Sequence, residues 1–443
     1  MSRFLLVTND FMGTSLAWKL LLEGHEVAAW SRKPEGKEHL KGMVNQFEEI
    51  RDAVAWCGRS GYFIADDEQD MTKYRQMGMR CYGGNEWTAK LENDRVMQMK
   101  VAEQCGVPVS KWHAVKSVDE AVAFIKKHPE QWVLKQIEHA PKTWSFVGKS
   151  EDGSDTIDQL EWFKTQPEYK KLGSVPFMLQ EIVDGIEFGV SAWWMGSDWK
   201  RRDDGSVIVE LNKEHKKELD GDIGRTCGEM GTVSRLTDAS KLFEEMLGPL
   251  TSLLLQWCQD VVINIDANCG IFLENGEPKA YLYEWTPRQG YPASSLQEYL
   301  LNTECGQFFA DLIDRRQGNV EHKEEWGVVT VLATGEFPSE RESHEGSFKD
   351  QPVIIPQCVG GWSEHIAPFY IRWDDKKEFW RVADYYEYVL GVCHHDNDIL
   401  KANERCVEDM KLVEIRAPRY RHDIGQKFAN EELDILNKWG YLN

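Results

Sequence analysis

No stretch of the 443-residue chain approaches the ~20 apolar residues that a membrane-spanning helix needs. The opening run Phe4-Leu-Leu-Val-Thr8 is too short for a signal-peptide core and stops at Asn9-Asp10. None of the ten cysteines stands in a CxxC pair, and no Cys/His group has zinc spacing, so they read as reduced, mostly buried thiols. Positive charge is scarce. Lys+Arg number 52 against 74 Asp+Glu, a net −22, which argues against nucleic acid or an anionic membrane as main partner. A local basic pocket for phosphates stays open. The dinucleotide fingerprint GxGxxG is missing, which makes a nicotinamide oxidoreductase the weakest reading. There is no internal repeat. These absences leave a soluble chain, expected to be cytoplasmic and to act on small molecules as a monomer or homodimer.

The length suggests two to four domains. The 18 tryptophans are expected mostly in cores and pocket walls. Phe4–Thr8, a helical stretch from Thr14 to His25, and Val27–Trp30 form a βαβ unit, so a parallel sheet opens the chain. Further strands are expected at Tyr62–Ala65 and Met79–Tyr82, with a helix from Asp67 to Met77 between them. After the breaker Gly83-Gly84-Asn85, residues 88–105 read as one long helix. Ser117-Val-Asp-Glu120 is a capping box opening a helix that ends near His128. Trp132–Ile137 reads as a strand, and Asp184-Gly185 predicts a hairpin between Phe177–Val183 and Glu187–Met195. The β pattern continues through Ser206–Leu211. A long helix is expected over 238–258 and a second hairpin around Asn275-Gly276. Trp326–Thr334 is the last strong strand.

Five places carry candidate chemistry. The turn Asn9-Asp-Phe-Met-Gly-Thr14 precedes a helix N-terminus and reads either as a plain βα turn or as a phosphate site. Lys135 ends an apolar strand, where a nucleotide phosphate would offset the cost of burying an ammonium; the alternative is an edge lysine reaching solvent. In Met178–Gly189 an unpaired strand end could meet an adenine edge and Glu187 could hold ribose hydroxyls, although a strand–turn–strand hairpin is also common. Glu284 and Thr286, two apart on a strand, face one side and could coordinate Mg²⁺, with Arg288 beyond them to stabilise negative charge; a polar strand exit is the alternative. Glu214 to Gly231, with four glycines in eleven residues, reads as a flexible loop. His394-His395-Asp396 is expected in a polar turn, and Trp193-Trp194 as one buried and one half-exposed ring.

In order and spacing these elements resemble the ATP-grasp ligases, and among them the phosphoribosylamine–glycine ligase family. Leu16–Leu20 resembles the family's first helix, and Leu91-Glu-Asn-Asp-Arg95 and Val133-Leu-Lys135 resemble the two segments that bear ATP-binding cations. Gln180-Glu-Ile-Val-Asp-Gly-Ile-Glu187-Phe resembles the hinge and ribose segment, and Glu214-His-Lys216 with Gly228-Glu-Met-Gly231 the substrate loop. Tyr283-Glu284-Trp-Thr286-Pro-Arg288 resembles the metal motif, and Val328–Pro338 the strand that opens the C-terminal domain. The resemblance implies an ATP-grasp fold of α/β and α+β type: a biotin-carboxylase-like βαβ domain over 1–86, an ATP-grasp domain over 87–325 with a mobile lid at about 117–183, and a small α+β domain over 326–443. It implies an ADP-forming carboxylate–amine ligase of the purine-biosynthesis kind, using ATP and Mg²⁺ or Mn²⁺ to join an amino acid to an amine. ATP would be bound by Arg95, Lys135, Gln180, Glu181, Val183 and Glu187, substrate by Lys216, Gly228, Met230 and Gly231, and metal by Glu284 and Thr286; Lys135 and Arg288 would be catalytic. Thr286 and Thr226 replace the family's asparagines, Glu229 replaces a glycine, and the glycine-rich loops after the first strand and after Lys135 are changed. Glu229 and Asp10 point to an amine with less negative charge than phosphoribosylamine, and the lost glycines keep a nucleotide-binding pseudoenzyme as an alternative.

Overall fold

The computed structural model describes residues 1–8, 13–33, 35–137, 144–172, 175–335, 337, 348–355, 362–383 and 388–442. Asn9 to Met12, the 138–143 part of the loop after Lys135, and Glu336 and Pro338 lie outside the described residues. The chain forms two compact units: Met1–Ala89 with Phe188–Asp266 and Thr286–Asn443, and Lys90–Glu187 with Ala267–Trp285. No described helix is long and apolar enough to cross a membrane.

The first unit opens with a parallel sheet in the order Asn45–Gln46, Glu26–Ser31, Arg3–Thr8, Tyr62–Ala65, Arg80–Tyr82. Because side chains alternate across a strand, Phe4 and Leu6 pack with Leu16 and Leu20, while Leu5 and Val7 pack with Phe63 and Cys57 on the other face. Both faces are therefore buried and the strand reads as a continuous apolar run. The same unit holds an antiparallel run of Ile208–Glu214, Gly231–Asp238, Trp326–Thr334, Tyr388–Asp396 and Ile366–Pro368. The second unit has a four-stranded antiparallel sheet in the order Trp112–Val115, Phe177–Glu181, Trp132–Gln136, Phe146–Val147. The helices Val118–Lys127 and Ser154–Thr165 cover it with Val118, Ala121, Ile125, Leu160 and Phe163. The Ser117 half of the expected capping box forms, its hydroxyl accepting from the Glu120 N–H at 3.2 Å, while the Glu120 carboxylate accepts from the Lys116 N–H at 2.8 Å, one residue before the cap. The Asn275-Gly276 hairpin forms too, with φ of 54° and 87° that suit Asn and Gly.

Several expectations are corrected, each for a local reason. The long helix over 88–105 is two, Glu86–Asn93 and Arg95–Cys105, because the Asp94 carboxylate accepts from the Met97 N–H at 2.9 Å and starts a new helix. The helix over 67–77 shrinks to Thr72–Gln76, since Asp67 and Asp70 accept from N–H groups two residues on and hold turns instead. The stretch 238–258 splits into Lys241–Met246, a 3-10 turn at Gly248–Leu250 and Thr251–Trp257, where Pro249 interrupts the helical ladder. Asp184-Gly185 makes no hairpin: Phe177–Glu181 and Ile186–Met195 belong to different sheets. Trp193 and Trp194 are both buried, at 1% and 0% exposure. His394 and His395 lie on the strand Tyr388–Asp396, not in a turn, and His394 meets Asp409 at 2.8 Å.

Candidate active site

The nucleotide-side candidates gather in the second unit. Arg95 opens its helix directly after the Asp94 cap, and its Nη1 lies 3.4 Å from Glu284 Oε2. Both side chains stay partly open, at 29% and 37% exposure, so solvent screens the pair. Lys135 falls on the half-buried face of Trp132–Gln136, and its Nζ donates to the Tyr283 carbonyl at 3.5 Å. The Tyr283 hydroxyl in turn donates to the Val183 carbonyl at 3.0 Å. It crosses Gly270, where a Cβ would collide with that hydroxyl. Segments around residues 95, 135 and 183 thus converge on Tyr283 and Glu284. Glu187 accepts from Asn268 Nδ2 at 3.0 Å, which fixes its carboxylate.

The hinge differs from its sequence reading. Gln180 is 2% exposed with its amide against Met99, and its strand is paired on both sides. The Glu181 N–H donates to the Lys111 carbonyl at 2.8 Å, and its carboxylate pairs with Lys111 at 3.2 Å. An open strand end can start only beyond Glu181. Thr286 ends the strand Glu277–Thr286, two residues past Glu284. Arg288 Nη1 donates to the Gln289 carbonyl at 2.9 Å. Among the described residues no group of three or more His, Cys, Asp or Glu could hold a metal. One carboxylate and one hydroxyl are a partial set of hard oxygen donors. That suits Mg²⁺ arriving with nucleotide phosphates, since this ion typically takes one or two carboxylates plus phosphates and water.

The substrate segment lies in the first unit and is not a formless loop. Lys217–Leu219 pairs with Ile223–Thr226 as a short hairpin. Its turn is pinned by Arg421, 1% exposed, whose guanidinium bonds Asp222 at 2.7 Å and Asp423 at 2.7 and 2.8 Å. The Gly221 N–H donates to Asp423 at 2.7 Å, and the His422 N–H to Asp220 at 2.8 Å. Lys216 pairs with Glu214 at 2.9 Å. Gly228 lets the Tyr388 hydroxyl approach; a Cβ there would sit 2.8 Å from it. That hydroxyl accepts from the Glu229 N–H and donates to the Glu229 carbonyl, both at 2.9 Å. Met230 is 1% exposed, lining a cavity with Phe337, Arg419 and Tyr420, and Gly231 accepts from the His215 N–H at 3.0 Å.

Sequence reasoning missed Glu210 and Asp266 in a row of buried carboxyls here, and it took Glu229, 4% exposed, for a charge facing the substrate. Glu210 accepts from Ser191 at 3.0 Å and from Gln297, and burial pushes its carboxyl up to about 7. Asp266 accepts from Asn212 Nδ2 at 2.8 Å. Burial, then the nearby Glu214, raises Asp266 and Glu229 well above the usual carboxylate range. The signal was present. Ile208-Val-Glu-Leu-Asn-Lys-Glu214 and Asn264-Ile-Asp266 place polar residues at every second position of strands that are otherwise buried, which marks one polar face.

Comparison with known proteins agrees with this architecture. Residues 94–253 match the family described as phosphoribosylglycinamide synthetase, ATP-grasp (A) domain. A solved structure described as phosphoribosylamine–glycine ligase from Thermotoga maritima superposes with a TM-score of 0.69 at 16% identity, over 95% of this chain and 100% of that one. A biotin carboxylase–βγ-ATP complex from Campylobacter jejuni gives a TM-score of 0.64 at 12% identity, over 99% and 98%. The fold is that of the ATP-grasp proteins. Within that class the sequence is similar to phosphoribosylamine–glycine ligases: 23% identical over 69% of this chain and 70% of the Streptococcus pneumoniae serotype 4 protein, and 22% over 80% and 79% of the Caulobacter vibrioides one.

Proposed function

We propose that this chain is an ATP-dependent carboxylate–amine ligase that forms ADP through an acylphosphate and joins an amino-acid carboxylate to an amine. The observation that carries this reading is the convergence of Arg95 and Lys135 on Tyr283 and Glu284. Two cations from distant segments beside one carboxylate are what an incoming magnesium nucleotide requires. Arg95 and Lys135 draw the phosphates, Glu187 takes the ribose hydroxyls, and the segment from Gln180 through Glu181 to Val183 flanks the base. Glu284, with Thr286, would hold Mg²⁺ or Mn²⁺, which when bound lowers the repulsion between a carboxylate and the phosphate it attacks. A substrate carboxylate oxygen attacks the γ-phosphorus and ADP leaves. The amine nitrogen then attacks the acyl carbon, the C–N bond forms, the C–O bond to phosphate breaks, and inorganic phosphate departs with that electron pair while the amine gives up a proton. Arg288 stabilises the oxyanion formed between. Lys216, Gly228, Met230 and Gly231 border the substrate. In this reading residues 1–86, 87–325 and 326–443 divide the work, with about 117–183 as the lid.

Hydroxylamine traps an acylphosphate as a hydroxamate whatever the natural amine is. ATP, Mg²⁺, hydroxylamine and each amino acid in turn should yield ADP and one hydroxamate in equal amounts. ATP binding without any hydroxamate would instead make the chain a nucleotide-binding pseudoenzyme.

A further inference from the structure

The first-unit helix Thr14–Leu22 follows the first strand, where the N–H groups of a helix N-terminus are placed to meet an anion. Here a side chain of the chain itself takes that place. The Gly13 N–H donates to Asp66 Oδ2 at 2.7 Å, and Asp66 is 2% exposed. A Cβ at Gly13 would lie 3.1 Å from that oxygen and 3.4 Å from the Tyr291 hydroxyl, so carboxylate and phenol close over the helix end together. Burial, then Asp66 and Glu298, raises the Tyr291 hydroxyl well above its usual range, and that hydroxyl donates to Gln289 Oε1 at 3.3 Å. Glu298 is itself 4% exposed.

Tyr291 is also a wall of a separate feature, a cavity of about 60 Å³ lined by Tyr291, Phe369, Tyr370, Tyr388, Val331 and Glu229. None of its described lining residues is Lys or Arg. A phosphorylated sugar would need cations and room for a ribose. The cavity offers aromatic faces, which suit an alkyl group or an ammonium. Resting on the ligase reading, we propose that the acceptor is an unphosphorylated primary amine with a short apolar chain, seated in the Tyr291–Tyr388 cavity, and that Asp66 closes the helix end to phosphate.

Calorimetry on the ATP-loaded chain tests this without turnover. Propylamine should bind at least tenfold more tightly than ribose 5-phosphate. Asp66→Ala, which removes the carboxyl and frees the Gly13 N–H, should tighten ribose 5-phosphate at least tenfold. Val331→Ile, which fills part of the cavity by one methylene, should weaken propylamine at least fivefold in a protein that keeps a cooperative melt, and it carries the test if Asp66→Ala does not fold. Ribose 5-phosphate binding as tightly as propylamine to the unaltered chain, or propylamine indifferent to Val331→Ile, overturns the proposal. The hydroxamate assay answers separately for the ligase reading, so the two can fail independently.

Discussion

The cluster around Glu284 and the cluster around Glu210 are built on opposite principles. Around Arg95, Lys135 and Glu284 the contacts are long, 3.4 and 3.5 Å, and the Arg95–Glu284 pair is partly exposed. Around Glu210, Asp266 and Glu229 the carboxyls are sealed at 9% exposure or less and accept hydrogen bonds from Asn212 at 2.8 Å, from Ser191 at 3.0 Å and from Thr232. A loose, hydrated ion pair costs little to open when a charged ligand arrives. A sealed, hydrogen-bonded carboxyl cannot rearrange cheaply. The first cluster is thus suited to exchange partners and the second to hold a shape.

Breaking the loose cluster should show in activity. Glu284→Gln should lower Mg²⁺-dependent ADP formation by at least about 100-fold, ~2.7 kcal/mol of barrier, with an unchanged far-UV spectrum. Near-normal turnover would remove Glu284 from the metal role. Altering the sealed cluster should show in stability. Glu210 ordinarily titrates near 4.5, and burial pushes it up to about 7. The folded chain therefore holds this proton more tightly than the unfolded one, so stability falls as pH rises from about 4.5 to about 7. Glu210→Gln escapes that loss and should be more stable than the parent at pH 8 by up to about 3 kcal/mol, with the gain gone near pH 5, as read by denaturant melts. His215, pushed down to about 4 by burial, sets an opposite loss below its usual 6.5 and affects both proteins equally.

Two smaller effects sharpen the contrast. Lys135→Ala should weaken ATP by about 1.5–3 kcal/mol and leave adenosine nearly unchanged, because only ATP offers phosphates. Equal losses for both would make Lys135 structural. Asp94→Ala should cost about 1 kcal/mol in a thermal melt by removing the helix cap beside Arg95. An Asp94→Asn variant keeps an acceptor and should recover most of it.

What the sequence revealed follows a physical line. Continuous apolar strands such as Trp326–Thr334, and glycine turns such as Asn275-Gly276, were legible because burial on both faces and local sterics decide them. The breaks at Asp94 and Pro249 were present in the sequence but outweighed by apolar spacing on either side. The Asp184-Gly185 error has another source: a turn signal cannot say which sheet each flanking strand will join. In the site, Lys135 stood out as a charge ending an apolar strand, Glu284 as an acid two residues from Thr286 on one strand face, and Arg95 only through the family resemblance, and the structure brings Arg95 to Glu284 and Lys135 to the Tyr283 carbonyl. Asp66 did not stand out, since only tertiary burial separates such a carboxyl from a solvated one, and Glu210 and Asp266 were marked only by the polar alternation along their strands. The expectation for Asp10 falls outside the described residues; at the described helix end, Asp66 accepts from the Gly13 N–H.

Arg421 has a practical consequence for anyone transplanting specificity between relatives. Its guanidinium reaches Asp222 from 199 residues away and grips Asp423 with the same fork. The hairpin of Lys217–Leu219 and Ile223–Thr226 is therefore one half of a two-piece part whose other half includes Arg421 and Asp423. Moving residues 214–231 alone into a homologous scaffold would import the sequence without the clasp that shapes it. Moving 418–425 along with it transfers both halves, and clipping the chain ahead of Arg421 would leave the hairpin in place by sequence but without its anchor.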